Sequence, residues 1–368
     1  MSASVPRTTF LCMVLSWLCA TSTNGNPLSA PCPCSDSSLC DPIKTTPKRE
    51  VVMFASTDKA NNNWKSYEWD NFTTLAIGAG FDPQIMCHAH SKGVRIVAYG
   101  SFSPATLFNE TASNLWIEEN VRYAVANFTD GFNIDYETPL PASRAHFLTD
   151  VVNRTAAAFR KALPYSKVSL DSAYTANCTL FGRCYDYVKI AEIVDFIFIM
   201  AYDEVNQFSP VANANAPLHT TTSGVDDFLR QGIPASKLVL GVPWYGYDFI
   251  CNKLTPSNEC YRTILKSEEI SYGPLMKLLA HNSSSGRLWS DADKSPYFNY
   301  KDSDTNLTHQ IWYDDPSSLK LRYQLAKDKE LYGVGAFNAD CLDYSTDETA
   351  RKETKAMWDA IGEFKYGL

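Results

Sequence analysis

The stretch TDGFNIDYET, Thr129 to Thr138, ends in two carboxylates separated by one residue. In an extended chain alternate side chains point to opposite faces. Phe132, Ile134 and Tyr136 then form an apolar row, and Asn133, Asp135 and Glu137 a polar one. Neighbouring carboxylates on one face suit acid–base chemistry, in which one carries a proton and the other an ionised charge. A strand with one wet face shows the same alternation, so the other strand ends have to decide. IMAYDE (Ile199–Glu204) closes an apolar run on Tyr202 and Asp203. VGAFNAD (Val334–Asp340) closes on Phe337, Asn338 and an acid. GVPWYGYDF (Gly241–Phe249) closes on aromatics that include Tyr245. Aromatic rings stack on the apolar face of a pyranose, and carboxylates bond its hydroxyls and protonate its glycosidic oxygen. Four strand ends of this kind point to a carbohydrate site. Asp130, Asp135 and Glu137 also resemble a metal-ligand set, but nothing else at ligand spacing accompanies them, and no metal or other cofactor is expected.

The elements that must position these groups alternate along the chain. The sequence predicts eight strands: Val51–Ala55, Thr74–Gly78, Val94–Gly100, Gly131–Tyr136, Val168–Ser172, Val194–Ala201, Leu238–Val242 and Val334–Asn338. Several are nearly continuous apolar runs, as parallel strands covered by helices are. Helices are expected at Thr111–Asn127, at Ala142–Ala162 with Phe147, Val151, Ala158 and Ala162 on one face and a stop at Pro164, and at Ser317–Leu331. A capping box, Ser345-x-x-Glu348, is expected to open a last helix. Eight strand–helix alternations fit an α/β fold of the (β/α)8 TIM-barrel type. A doubly wound sheet is the alternative, but no glycine fingerprint follows the first strand. In a barrel, Asn133, Asp135 and Glu137 face the lumen and climb toward the C-terminal rim, where barrel enzymes do their chemistry. The segment from about 248 to 313 is too long for one loop. It reads as an insertion after strand 7, with strand-like pieces at Tyr297–Tyr300 and His309–Tyr313.

At this point the sequence resembles a known family. Asp130-Gly131-Phe132-Asn133-Ile134-Asp135-Tyr136-Glu137 is similar to the D-G-x-D-x-D-x-E signature of family 18 glycoside hydrolases, the chitinase family. Met200-x-Tyr202-Asp203, Leu240 to Gly246, Tyr313-Asp314-Asp315-Pro316 and Gly333 to Asp340 resemble its later motifs. The resemblance implies a (β/α)8 barrel and retaining hydrolysis beside N-acetylglucosamine (GlcNAc) with the substrate's own acetamido oxygen as nucleophile. It implies that Glu137 is the acid and then the base, that Asp135 holds the acetamido N–H, and that Tyr202 positions the acetamido oxygen. Phe337 stands where the family usually has Trp beneath the reacting sugar. Asp203, Tyr245 and Asn338 are candidate sugar contacts, and Asn133 and Asp130 complete the substrate-binding set. Asn133 departs from the usual Asp, which leads to the expectation that Asp135 ionises more readily than in an Asp-containing relative. With the leader and CPCSDSSLC, the resemblance is to lysosomal, exo-acting members that split GlcNAcβ1-4GlcNAc at the reducing end of oligosaccharides from asparagine-linked glycoproteins. The alternatives are an endo-chitinase, an endo-β-N-acetylglucosaminidase, or a non-catalytic chitin-binding lectin, which typically lacks the final Glu.

The whole chain agrees with a secreted or lysosomal glycosidase. It has 368 residues, a formal net charge of −8 and 45% hydrophobic residues. No basic block offers a surface to nucleic acid or to an anionic membrane, and a monomer is expected. Arg7, the apolar run Phe10–Ala20 and the small residues Ala20 and Ser22 read as a secretory signal, with residues 1–30 as signal and short leader and the glycosidase domain over 31–368. Seven sequons, at Asn71, Asn109, Asn127, Asn153, Asn177, Asn282 and Asn306, fit the same route. Of eleven cysteines, Cys12 and Cys19 lie in the signal. Cys178–Cys184 and Cys251–Cys260 are close enough to form local clips, and an odd remainder leaves at least one thiol unpaired within the chain.

Overall fold

A computed structural model describes residues 31–56, 62–204 and 209–367, with the side chains of 264–266 left aside. The signal-sequence reading, with Cys12 and Cys19, lies outside the described residues. Among the described residues thirteen strands follow in order: β1 Glu50–Ala55, β2 Thr74–Ile77, β3 Arg95–Gly100, β4 Gly131–Ile134, β5 Lys167–Ala173, β6 Phe196–Met200, β7 Leu238–Pro243, β8 Tyr245–Leu254, β9 Cys260–Ser271, β10 Leu288–Ser290, β11 Ser295–Lys301, β12 Thr308–Trp312 and β13 Gly333–Phe337. The helices are α1 Pro83–Ser91, α2 Pro104–Leu107, α3 Glu110–Ala126, α4 Ala145–Ala162, α5 Cys178–Phe181, α6 Tyr187–Ile193, α7 Leu218–Arg230, α8 Tyr272–His281, α9 Pro316–Asp328 and α10 Glu348–Tyr366.

Strands β1 to β7 and β13 close into a parallel barrel in the order β1-β13-β7-β6-β5-β4-β3-β2, as the eight strand–helix alternations predict. Alternation within each strand divides the core in two. Phe132, Ile134 and Tyr136 join the layer between barrel and helices. Val52, Phe54, Val97, Phe196, Phe198 and Val239 fill the lumen. The Phe198 ring lies across the lumen because its neighbours are glycines. A Cβ at Gly241 would meet it at 2.3 Å and one at Gly335 at 2.5 Å.

The insertion forms a five-stranded antiparallel sheet in the order β10-β11-β12-β8-β9. It starts at Tyr245, earlier than the expected boundary near 248, because the chain turns directly from β7 into β8. Asp314 and Arg322, both fully buried, fasten it to α9 at 3.3 Å. The Arg322 guanidinium also donates to Lys294 O and Ser318 O, to Ser295 Oγ at 2.8 Å and to Ala216 O. Asp315 caps α9, accepting from Ser317 N and Ser318 N at 3.0 Å while its own N–H donates to Ser318 Oγ.

Two helix expectations need correction. The buried face of α4 is Leu148, Val151, Val152, Thr155, Ala156 and Phe159, not the row through Phe147, Ala158 and Ala162. Phe147 is 39% exposed and lies edge-on to Phe108 instead. A 3-10 turn over Ala142–Arg144 precedes the α-helix, and within the helix the larger apolar residues Leu148, Val152 and Phe159 set the buried face. The cap of α10 is Asp347, which accepts from Ala350 N, and not Ser345.

The cysteines pair as Cys32–Cys40, Cys34–Cys87, Cys178–Cys184 and Cys251–Cys260. Both expected clips form, and Cys341 is a buried thiol. Three sulfurs of the N-terminal segment lie within 4.8 Å of one another, but Cys32, Cys34 and Cys40 are all consumed in disulfides. Among the described residues no helix is long and apolar enough to cross a membrane.

Candidate active site

At the C-terminal rim of the barrel lies a cavity of about 340 Å³, within the size range of small-molecule sites. Asp135 and Glu137 reach it from the end of β4. Tyr202 and Asp203 reach it from β6, Tyr245 from β8 and Phe337 from β13. Six of the residues expected from sequence thus converge. Phe337 stacks on Tyr202 with ring centroids 6.0 Å apart and meets Tyr245 edge-on at 6.3 Å. Phe54 of β1 closes the aromatic floor against it. Such a floor supports the apolar face of a sugar ring.

Asp135 is held by its backbone, whose N–H donates to Gly100 O across to β3. Its carboxyl is pushed up to about 6, first by burial and then by the charge of Glu137, while Arg183 opposes the rise. Its Oδ1 is buried and has no hydrogen-bond donor among the described residues, and the residue itself lines the cavity. A buried acceptor left free in this way fits an N–H supplied by a ligand. Glu137, one side-chain period further along, has a side chain that is 49% exposed and accepts from Arg183 Nη2 at 2.8 Å. Its backbone is set by a phenol: Tyr185 Oη donates to Tyr136 O at 3.0 Å and to Thr138 O at 2.7 Å, the carbonyls on either side of it.

Asn133 lies beneath the cavity, not in its wall. Its Nδ2 donates to Ser169 Oγ at 2.9 Å and to Asp171 Oδ1 at 2.8 Å. Asp171, on β5, is fully buried, and burial followed by the charge of Asp135 pushes its carboxyl well up. A second acid therefore stands beside Asp135 although position 133 has none. It comes from the next strand, β5.

Asp203 adopts a left-handed backbone, with φ of 56°, which is uncommon for a side chain other than glycine. Its N–H donates to Asn215 Oδ1 at 2.7 Å. Its Oδ1 accepts from Tyr245 Oη at 2.5 Å and from Tyr247 Oη at 2.8 Å. Burial, then Asp203, pushes the Tyr245 phenol upward. Burial, then Asp171, does the same to Tyr202, which stays a neutral hydrogen-bond donor.

Two expected substrate contacts lie elsewhere. Asp130 precedes β4 and sits at the opposite end of the barrel. Its carboxylate accepts from Ile43 N, from Ile96 N and from His90 Nε2, each at 2.9 Å. It anchors the N-terminal segment, whose Leu39 O meets His90 Nδ1 at 2.7 Å. Asn338 caps the 3-10 turn Ala339–Cys341, accepting from Asp340 N, and does not line the cavity.

Sequence reasoning missed Asp171, Arg183, Glu269 and the rings of Tyr99, Tyr174 and Phe181, all of which line the cavity. For Asp171 a signal was present: Ser169 and Asp171 alternate with Val168 and Leu170, the same parity that exposes Asn133 and Asp135. Arg183 and Glu269 come from irregular or inserted segments, and nothing in their local pattern marks them. Burial, then Asp203, raises the Glu269 carboxyl.

Residues 43–341 match the family described as "Glycosyl hydrolases family 18". The chain is 40% identical to di-N-acetylchitobiase from Mus musculus over 346 residues, which cover 90% of this chain and 92% of that protein. It is 37% identical to di-N-acetylchitobiase from Homo sapiens over 346 residues, covering 90% and 88%. Among solved structures, a family 18 chitinase variant from Cycas revoluta in complex with (GlcNAc)4 superposes with a TM-score of 0.71 at 17% identity, covering 86% of this chain and all of that one.

Proposed function

This chain belongs to the family 18 glycosyl hydrolases and is a glycoside hydrolase, and on that footing we propose that it splits the GlcNAcβ1-4GlcNAc bond at the reducing end of oligosaccharides from asparagine-linked glycoproteins. The observation that carries the reading is the buried, free Oδ1 of Asp135 beside Glu137. An acceptor there has a use if the substrate brings an amide, and the 2-acetamido group of GlcNAc does.

The geometry performs the reaction in two steps. With the sugar seated on Phe337, Asp135 accepts the acetamido N–H and Tyr202 donates to the acetamido oxygen. That oxygen is then held facing C1 as an intramolecular nucleophile, which avoids most of the entropy of recruiting one. Glu137 passes its proton to the glycosidic oxygen, the C1–O bond breaks, and the acetamido oxygen closes on C1 as an oxazolinium ion. Asp135 bears the charge that offsets the cation. The Glu137 carboxylate then takes a proton from water, hydroxide adds to C1, and the acetamido group reopens with net retention. Asp203 and Tyr245 hold the wall against which the ring docks.

The test is turnover of chitobiose. Glu137→Gln should lose about 10²–10⁴-fold in kcat, and a disaccharide with 2-hydroxyl in place of 2-acetamido should not be cleaved. Normal turnover in either case refutes the mechanism. Chitotetraose with native and with reduced ends separates exo from endo action: single GlcNAc released from the reducing end supports the proposal, and internal cutting supports an endo-chitinase or endo-β-N-acetylglucosaminidase. Binding of chitooligosaccharide without turnover would indicate a lectin. The seven sequons support a lysosomal location reached through the secretory pathway, with secretion as the alternative. Organelle fractionation decides that point.

A further inference from the structure

The proposed reaction leaves one strong contact unexplained: the guanidinium that grips Glu137. An ion pair is made by the ionised carboxylate, yet the first step needs that carboxyl to carry a proton. Arg183 Nη2 lies 2.8 Å from Glu137 Oε2, and the Arg183 side chain is only 16% exposed. Its Nε is buried and has no acceptor among the described residues.

The loop that carries Arg183 is fixed rather than draped. Cys178–Cys184 clips it into a short ring. Leu140, from the loop after β4, bridges it in parallel: Leu140 N donates to Gly182 O at 2.8 Å, and Cys184 N donates to Leu140 O at 2.9 Å. Phe181 on the same loop meets Tyr174 edge-on at 5.3 Å, and the Arg183 guanidinium lies 5.7 Å from the Phe181 ring. Tyr174, Phe181 and Arg183 together form one wall of the cavity.

Their order in space gives this wall its role. Glu137 has Asp135 one side-chain period before it and Arg183, on the clipped loop, against its Oε2. Asp135 serves the sugar whose acetamido group reacts. Glu137 protonates the oxygen that joins that sugar to the leaving one. Donors and rings on the far side of Glu137 therefore face the leaving sugar. We propose, resting on the function above, that Arg183 with Phe181 and Tyr174 forms the acceptor subsite for the leaving GlcNAc, and that Arg183 alternates between that sugar and Glu137.

With the leaving sugar bound, the guanidinium donates to its oxygen atoms and releases Glu137, which takes up a proton from solvent and delivers it to the glycosidic oxygen. Once the freed GlcNAc departs, the guanidinium returns to the Glu137 carboxylate, the form that accepts a proton from water in the second step. Occupancy of one subsite thereby selects which of its two roles Glu137 plays. The other charged or titratable groups around Glu137 are Asp135 on its own strand, Asp171 on β5, Tyr202 on β6 and Tyr185 beyond the clip. Among the described groups lining the cavity, Arg183 alone carries positive charge.

The experiment compares two leaving groups on the full-length enzyme. Chitobiose releases a sugar; 4-methylumbelliferyl β-GlcNAc releases an activated phenol that needs neither a sugar subsite nor a strong acid. Arg183→Gln should lose about 10- to 100-fold in kcat/KM on chitobiose, the range for a lost charge-assisted hydrogen bond, and no more than about 3-fold on the aryl glycoside. The inhibition constant of free GlcNAc should rise by a similar factor, and Arg183→Lys should recover part of both losses. Equal losses on the two substrates, or unchanged chitobiose turnover, overturn the role of Arg183 while leaving the proposed function intact. A wild-type protein that cleaves neither substrate overturns the function and this inference with it. Circular dichroism of Arg183→Gln matching wild type keeps the comparison valid, and Arg183→Lys carries it otherwise.

Discussion

Asp135→Asn should make the protein more stable at neutral pH while disabling it. The Asp135 carboxyl is raised from an ordinary value of 3.8 to about 6 by burial and by Glu137. A folded carboxyl raised in this way keeps its proton to higher pH than the unfolded chain does. Below pH 3.8 both states are protonated and the group costs nothing. Between about pH 4 and 6 the unfolded chain ionises first, so folding stability falls as pH rises; above pH 7 the loss is complete. Moving from 3.8 to about 6 corresponds to about 3 kcal/mol. Asparagine keeps the shape of the protonated acid and removes the titration. Urea unfolding followed by tryptophan fluorescence at pH 3.5 and 7.5 measures the outcome. The variant should match wild type at the lower pH and exceed it by about 2–3 kcal/mol at the higher. In a Glu137→Gln background the gain should shrink, because one of its causes is gone. Parallel stability curves for wild type and Asp135→Asn from pH 3.5 to 7.5 would refute the claim that this site stores an electrostatic cost.

The remaining predictions concern the scaffold. Arg322→Leu leaves Asp314 buried without its cation and should cost about 3–5 kcal/mol at pH 7.5. The loss should be smaller at pH 5, because Asp314 is already raised to about 6, chiefly by burial, and can be buried protonated. Glycopeptide mapping should find sugar at Asn109, Asn153, Asn177, Asn282 and Asn306, which are exposed. Asn71 and Asn127 should be left bare, because their half-buried amides donate to Trp358 O and to Tyr123 O.

The barrel was legible because several of its strands are nearly continuous apolar runs, as parallel strands covered by helices are, and eight strand–helix alternations leave few alternatives. Asp135, Glu137, Tyr202 and Phe337 were legible because strand ends put them at one rim. Asp130 shows the limit of a motif. It belongs to the same signature as Glu137, yet it lies before the strand rather than after it, so it serves the opposite end of the barrel. Asn338 misled in a similar way, since an Asn beyond a strand end is as apt to cap a turn as to meet a ligand. Arg183 and Tyr185 were hidden because their roles depend on which loops lie side by side, and only barrel closure sets that. Asp171 was within reach: its strand alternates just as the catalytic strand does. The cap of the final helix slipped by two residues because Ser345 and Asp347 both offer an oxygen, and backbone geometry chooses between them.

Two phenols, from Tyr245 and Tyr247 of the inserted sheet, end on one oxygen of Asp203, the residue that follows Tyr202. The insert is therefore bolted to the reaction centre rather than swinging over it like a door. A guest sugar meets a finished mould and sacrifices little motion of its host on entering. Selectivity in such a mould rests on what the fixed walls admit, and trimming either phenol should blur that choice well before it unfolds the barrel.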